Sequence, residues 1–287
     1  MKTLLIAAAK GGTGKTALTC QFAHYLHLMG HLRVLVIDLA EPACSTASLA
    51  RAHRAVVLRG ETLMAQCGGL RRNVGAPGLW VLPAHAVPAL CLEPGADEAR
   101  YYANVRHLLC VLAAFADVCL IDCPPLPDLR TVCVESMVDA MVSPIQLSRE
   151  ALDSAACLIN AAWGVRNVRA KLNPSLHFIG LLPNMVEATP LHQANVRTIE
   201  AQFGAWLIPD PGGLDRHLCI PRFGAIAQAQ AAGVSVSELG KERAARRAWQ
   251  SIRACFEALA GQLELDELHG EDHERDDASS EVEAFHA

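Results

Sequence analysis

The chain has 287 residues, 52% apolar and only 5% aromatic. That is enough to fill a sizeable aliphatic core of helices packed on sheet, and it argues against an aromatic-rich β-sandwich. Eleven cysteines are scattered singly with no CxxC pair, so neither a disulfide framework nor a structural zinc site is expected, and a reduced, cytoplasmic setting is. The net charge of −5 hides an asymmetry: residues 264–287 hold ten acids against Arg275, leaving 1–263 at about +4, a body able to meet polyanions.

Residues 2–8 (KTLLIAA) are a short apolar run followed by glycines, which suits a buried first strand better than a secretory leader. Helical spacing then runs from Ala17 to Met29 through Leu18, Phe22, Tyr25 and Leu26, closing at Gly30. RVLVID (33–38) reads as a second buried strand, and LWVLP (79–83) as another after the turn-rich NVGAPG. A helix over 100–114 leads to DVCLID (117–122), whose unbroken hydrophobicity suits a central parallel strand. Next come a strand at DAMVSPIQ (139–146), a helix at 149–162, a strand at LHFIGLLPN (176–184) and a helix at 190–202. AWLIP (205–209) reads as a short strand, and a long helix follows over 239–263. No apolar stretch approaches the roughly 20 residues of a membrane helix.

This alternation predicts an α/β fold, a mostly parallel central sheet with helices on both faces and right-handed crossovers. One domain over 1–263 is expected, followed by an acidic tail, 264–287, too poor in apolar residues to pack. Ligands in such sheets bind at the carboxyl ends of the strands, where Lys10 to Thr16, Asp38, Asp122 and Asn184 all fall.

Between the first strand and helix stands GGTGKT. Gly11, Gly12, Thr13, Gly14 and Ala17 offer backbone N–H groups at a helix N-terminus, Lys15 reaches the β- and γ-phosphates, and the Thr16 hydroxyl binds Mg²⁺. The common G-x-x-x-x-G-K-[ST] pattern asks for glycine at position 9, where this chain has Ala9 followed by Lys10.

Lys10-Gly11-Gly12-Thr13-Gly14-Lys15-Thr16 resembles the deviant phosphate loop, K-G-G-x-G-K-[ST], of the ParA/MinD family of dimerising P-loop ATPases (SIMIBI-like NTPases). The resemblance extends over residues 1 to about 262: RVLVIDLAEPACSTASL looks like the second strand and first switch, DVCLIDCPP like the Walker B strand and second switch. It implies ATP and Mg²⁺ as cofactors, with Thr16, Asp38 and Asp122 around the metal, and Lys10 reaching the nucleotide of a partner subunit. A solvated loop charge is the plainer reading of Lys10, and a helix N-cap that of Asp122. Asn184 in LLPNMV stands where family members read adenine; a turn-forming asparagine fits equally well.

One departure matters. The family's usual D-x-D is here Asp38-Leu39-Ala40, so the second aspartate, which orients the attacking water, is replaced by a methyl group at Ala40. A slow or inactive ATPase, rescue by another group such as Glu41, and an introduced alanine all remain open. Arg222, Lys241, Arg243, Arg246, Arg247 and Arg253 match the family's C-terminal basic residues, which hold double-stranded DNA without sequence preference; a solvated helix face is the alternative.

The resemblance therefore implies an ATP-dependent homodimer on the nucleoid that segregates or positions a plasmid, chromosome or protein body such as a carboxysome, stimulated by a ParB-like or cargo-adaptor protein. A MinD-like membrane-associated regulator of division or flagellar placement is the alternative. The acidic C-terminal segment argues against it, since anionic lipid repels it. A reductase-like relative holding an iron–sulfur cluster through Cys123 is a third class, and a small residue beside Pro124 and Pro125 is the simpler role for that cysteine.

Overall fold

A computed structural model describes residues 1–60, 77–92, 97–148, 150–213, 216–240 and 243–265. Most of the NVGAPG turn, Lys241 and residues 266–287 lie outside this set. Eight strands form one sheet: β1 (Lys2–Ile6), β2 (Arg33–Asp38), β3 (Val56–Val57), β4 (Gly78–Pro83), β5 (Val118–Asp122), β6 (Ala140–Gln146), β7 (His177–Val186) and β8 (Ile220–Pro221). Their order is β3-β4-β2-β5-β1-β6-β7-β8, and all neighbouring pairs are parallel. The mostly parallel α/β architecture expected from the sequence is thus present.

Strand period two sorts the core into two layers. Leu5, Leu35, Ile37, Cys119 and Ile121 face one side, against α3 (Glu98–Leu112), α4 (Leu129–Glu135), α5 (Ala151–Asn160) and α6 (Val165–Lys171). Leu4, Ile6, Val34, Val36 and Leu120 face the other, against α1 (Lys15–Leu28), α8 (Gly224–Ala232) and α9 (Arg243–Gln262). Two further helices, α2 (Cys44–Leu49) and α7 (Pro190–Phe203), complete the description used below.

Beyond the short β3, β8, α2, α4, α6 and α8, which the sequence reading does not contain, two of the expected elements take a different form. AWLIP is a 3-10 turn at Gly204–Trp206 followed by two isolated bridges, Leu207 to Leu181 and Pro209 to His217; Pro209 has no N–H to give a ladder, so neither bridge extends into a strand. The last helix begins at Arg243, not 239: Val236–Glu238 form a separate 3-10 turn capped by Ser235, and Gly240 at φ +91° breaks the chain direction. At the other end, Leu265 is 2% exposed and Glu264 pairs with Lys2 at 2.9 Å, so the first two residues of the acidic segment pack on the domain.

One buried charge works against the fold. Glu135 is fully buried at the end of α4 and neither carboxylate oxygen has a hydrogen-bond partner among the described residues. Burial raises its pKa from 4.5 to about 8. The folded state therefore holds this proton when the unfolded chain has released it, so stability present below pH 4.5 is lost as pH rises toward 8. Glu135→Gln is expected to stabilise the protein by about 1–3 kcal/mol at pH 8 and not at pH 4.5, read from denaturant midpoints at the two pH values.

Candidate nucleotide site

The central position of β1, between β5 and β6, delivers the glycine loop to the middle of the carboxyl edge. Gly12 (φ +75°) and Gly14 (φ +91°) take left-handed conformations that curl the backbone so that α1 starts at Lys15. A Cβ at position 14 would collide with the Asn184 amide, so this glycine is required twice over, by its φ and by close packing. The first turn of α1 has no side-chain cap and no acid, leaving its N–H groups for an anion.

Lys15 is 8% exposed, and burial lowers its pKa, with Asp122 opposing that shift. Thr16 Oγ1 donates to Asp122 Oδ2 at 2.8 Å, joining the loop to the end of β5. Asp122 Oδ1 has no hydrogen-bond partner among the described residues, and the residue is fully buried. Burial raises the Asp122 pKa from 3.8 to about 7, partly countered by the Thr16 hydroxyl, while the Asp38 charge adds to the rise. The helix α4 that follows is capped by Asp128, whose side chain accepts from Arg130 N–H, so Asp122 is not the N-cap that its position before two prolines allowed.

These residues suit a divalent cation. The unpartnered Asp122 oxygen, the Thr16 hydroxyl and the neighbouring Asp38 charge form a site whose excess negative charge a Mg²⁺ would relieve. No cluster of three His, Cys, Asp or Glu able to hold a metal exists among the described residues; Mg²⁺ in nucleotide sites is held by one or two carboxylates together with phosphates and water. Bound there, the metal would neutralise phosphate charge. Because Asp122 is raised, its contribution to stability is full below pH 3.8 and lost by about pH 7. Asp122→Asn is therefore expected to raise the melting temperature without ligand at pH 8 while abolishing the further rise on adding Mg²⁺ and ATP, a pair of opposite shifts measurable by calorimetry.

Asp38 is also fully buried, and its oxygens are occupied by its own switch. Oδ1 accepts from Ala40 N–H at 3.2 Å, and Oδ2 from the Thr46 N–H and hydroxyl at 2.8 Å each. It anchors the start of α2, and its charge adds to the rise at Asp122. Ser45 beside it has a buried hydroxyl without a full hydrogen bond, close enough to lower the Asp122 pKa. Neither Ser45 nor Thr46 was singled out from sequence, since their spacing from Asp38 follows no helical or strand period. Glu41, the adjacent candidate for rescue at Ala40, is turned toward Arg130 at 3.5 Å.

Asn184 lies at the end of β7 against the loop. Its Nδ2 donates to Thr13 O at 2.8 Å and its Oδ1 accepts from Met185 N–H at 2.9 Å. The amide thus buttresses the phosphate loop, and it also lines a cavity of about 500 Å³ that runs from Gly12 and Thr16 toward Ile220, Phe223 and Phe256. Gln21 of α1 lines it too and pins the segment before α9, donating to Val234 O and accepting from Val236 N–H.

Lys10 is apart from these groups. Its side chain is 45% exposed and its Nζ meets Glu150 Oε2 at 3.3 Å, a carboxylate also held by the Ser148 hydroxyl at 2.8 Å. Arg222 lines the same cavity and pairs with Glu187 at 2.9 Å, so it belongs to this end of the molecule. Arg243, Arg246 and Arg247 are exposed on α9, and Arg253 pairs with Glu257 at 2.7 Å. Cys123 is buried behind the second switch, with its thiol pKa pushed well up by burial.

A glycine loop after the central strand of a parallel sheet, with a buried lysine and a threonine–aspartate bridge, defines a P-loop nucleotide-binding protein. Residues 4–233 match the family described as the CobQ/CobB/MinD/ParA nucleotide binding domain, and the chain belongs to that family of P-loop ATPases. It is 30% identical over 269 residues to Protein IncC of Escherichia coli, covering 92% of this chain and 70% of the relative. It is also 30% identical to the chromosome-partitioning ATPase Soj of Thermus thermophilus, covering 83% and 88%. The fold is similar to that of apo McdA from Cyanothece, with a TM-score of 0.64 at 19% identity over 90% of this chain and 99% of the other.

Proposed function

We propose that the chain is a ParA-like ATPase that closes into a dimer around ATP and Mg²⁺, binds nucleoid DNA without sequence preference, and so segregates or positions a cargo through a ParB-like adaptor. The observation that carries this reading is the parting of the two lysines. Lys15 is buried in its own loop, whereas Lys10 projects from the same loop at the surface, where a second subunit's phosphates can meet it. Its kinship with partition proteins supports the cargo role. In this assignment Gly11 to Ala17 cradle the phosphates, Asn184 faces the base, and Thr16, Asp38 and Asp122 hold the metal.

Ala40 separates binding from turnover. Phosphoryl transfer depends on positioning and electrostatics, so the missing carboxylate leaves ATP binding intact and slows its hydrolysis. The cytoplasmic, nucleoid-associated reading is tested by co-sedimenting the full chain, with Mg²⁺ and either ATP or ADP, with linear DNA and with anionic liposomes. Sedimentation with DNA in ATP alone is expected; sedimentation with liposomes and not DNA would favour a MinD-like membrane role. No helix among the described residues is long and apolar enough to cross a membrane.

A further inference from the structure

The exposed stripe of α9 carries more positive charge than the described residues neutralise. Ala245, Ala248, Ile252, Cys255, Phe256 and Leu259 bury one face of this helix, and Arg243, Arg246, Arg247 and Arg253 fall on the opposite one. Arg253 has Glu257. Arg243, Arg246 and Arg247 make no ion pair or hydrogen bond with any described residue, and the first turn of α9 contains no acid. Three unpaired arginines within five residues repel one another and favour an anionic occupant.

The same chain supplies such an occupant. Residues 266–287 hold nine carboxylates against Arg275, a net −8, and begin one residue after Leu265, whose buried side chain fixes the starting point beside Lys2. The 20-residue α9 is about 30 Å long at about 1.5 Å per residue, so its arginine end lies roughly that far from where the segment starts. Extended chain covers about 3.4 Å per residue, so Glu274, Asp276 and Asp277, nine to twelve residues beyond Leu265, reach about 31–41 Å. The densest acids therefore have the length needed to meet Arg247, Arg246 and Arg243.

We infer that the acidic segment 266–287 docks along the basic stripe of α9 and masks it. Each exposed ion pair is weak, but a tethered partner acts at an effective concentration of about a millimolar, so several weak pairs suffice. The docked segment competes with any polyanion for the same arginines. This rests on the proposed function only where that polyanion is DNA; the docking itself does not require it. Screening makes the contact salt-sensitive, with a Debye length of about 10 Å at about 0.1 M.

The test uses the full chain and a full-length variant with Glu274→Gln, Asp276→Asn and Asp277→Asn. Phenylglyoxal labelling of Arg243, Arg246 and Arg247, read by peptide mass spectrometry, is expected to be several-fold slower in the parent at about 50 mM salt, and equal in both at about 500 mM. Equal labelling at low salt overturns the proposal. In a second arm, ATP-dependent DNA affinity at low salt is expected to rise at least five-fold in the neutralised variant. Unchanged affinity in a chain that binds DNA overturns the masking role. Differential labelling in a chain that binds no DNA in either form sustains the docking and removes DNA from the proposed function.

Discussion

Ala40→Asp is expected to raise the ATP turnover rate by about 10²–10³-fold, the effect of restoring one positioned polar group at a reacting centre. The structure favours a clean gain. The Ala40 backbone N–H is bonded to Asp38, and Asp38 is held in turn by Thr46, so a carboxylate at 40 hangs from an anchored loop. Glu41 is engaged with Arg130, so it does not already fill the role. Phosphate release under saturating Mg²⁺ and ATP checks this, with ATP affinity expected to change by less than about three-fold because Lys15, Thr16 and Asp122 are left as they are. Equal turnover in the two forms would show that another group orients the water.

Lys10→Ala, made in the Ala40→Asp background, is expected to return turnover to the low level while the monomer still binds nucleotide. Lys10 meets Glu150 at the surface, and the buried lysine of its own loop is Lys15. In the proposed dimer that charge would exchange Glu150 for phosphates presented by a second subunit, where a charge-assisted contact gains strength from exclusion of water. Lys15→Ala should behave differently, weakening nucleotide binding itself. Comparing ATP affinity and phosphate release in the two variants separates the roles: Lys10→Ala changes turnover, and Lys15→Ala changes both. A Lys10→Ala enzyme as active as its parent would place Lys10 outside the reaction.

Local patterns in the sequence carried most of the sheet. RVLVID and DVCLID are β2 and β5 almost to the residue, because strands buried on both faces leave unbroken apolar runs. AWLIP is similarly apolar and is not a strand: Leu207 and Pro209 make only isolated bridges, to Leu181 and His217, and composition alone does not register which partners the fold brings alongside. The phosphate loop was legible because its chemistry is contiguous. Its supports were not: Glu150 meets Lys10 across 140 positions, and Asn184 meets Thr13 across 171. Asp38 showed its charge in sequence, but its bonds to Thr46, eight residues on, depend on the fold of the switch.

The central claim is that two copies close around ATP, and light scattering coupled to size exclusion tests it on the chain as given. The mass is expected to be 30.8 kDa in Mg²⁺–ADP and twice that in Mg²⁺–ATP. With Ala40 in place the ATP form should persist through the column, and Lys10→Ala should elute as the monomer in both nucleotides. A monomer in ATP, or a dimer of equal mass with and without Lys10, would contradict the account.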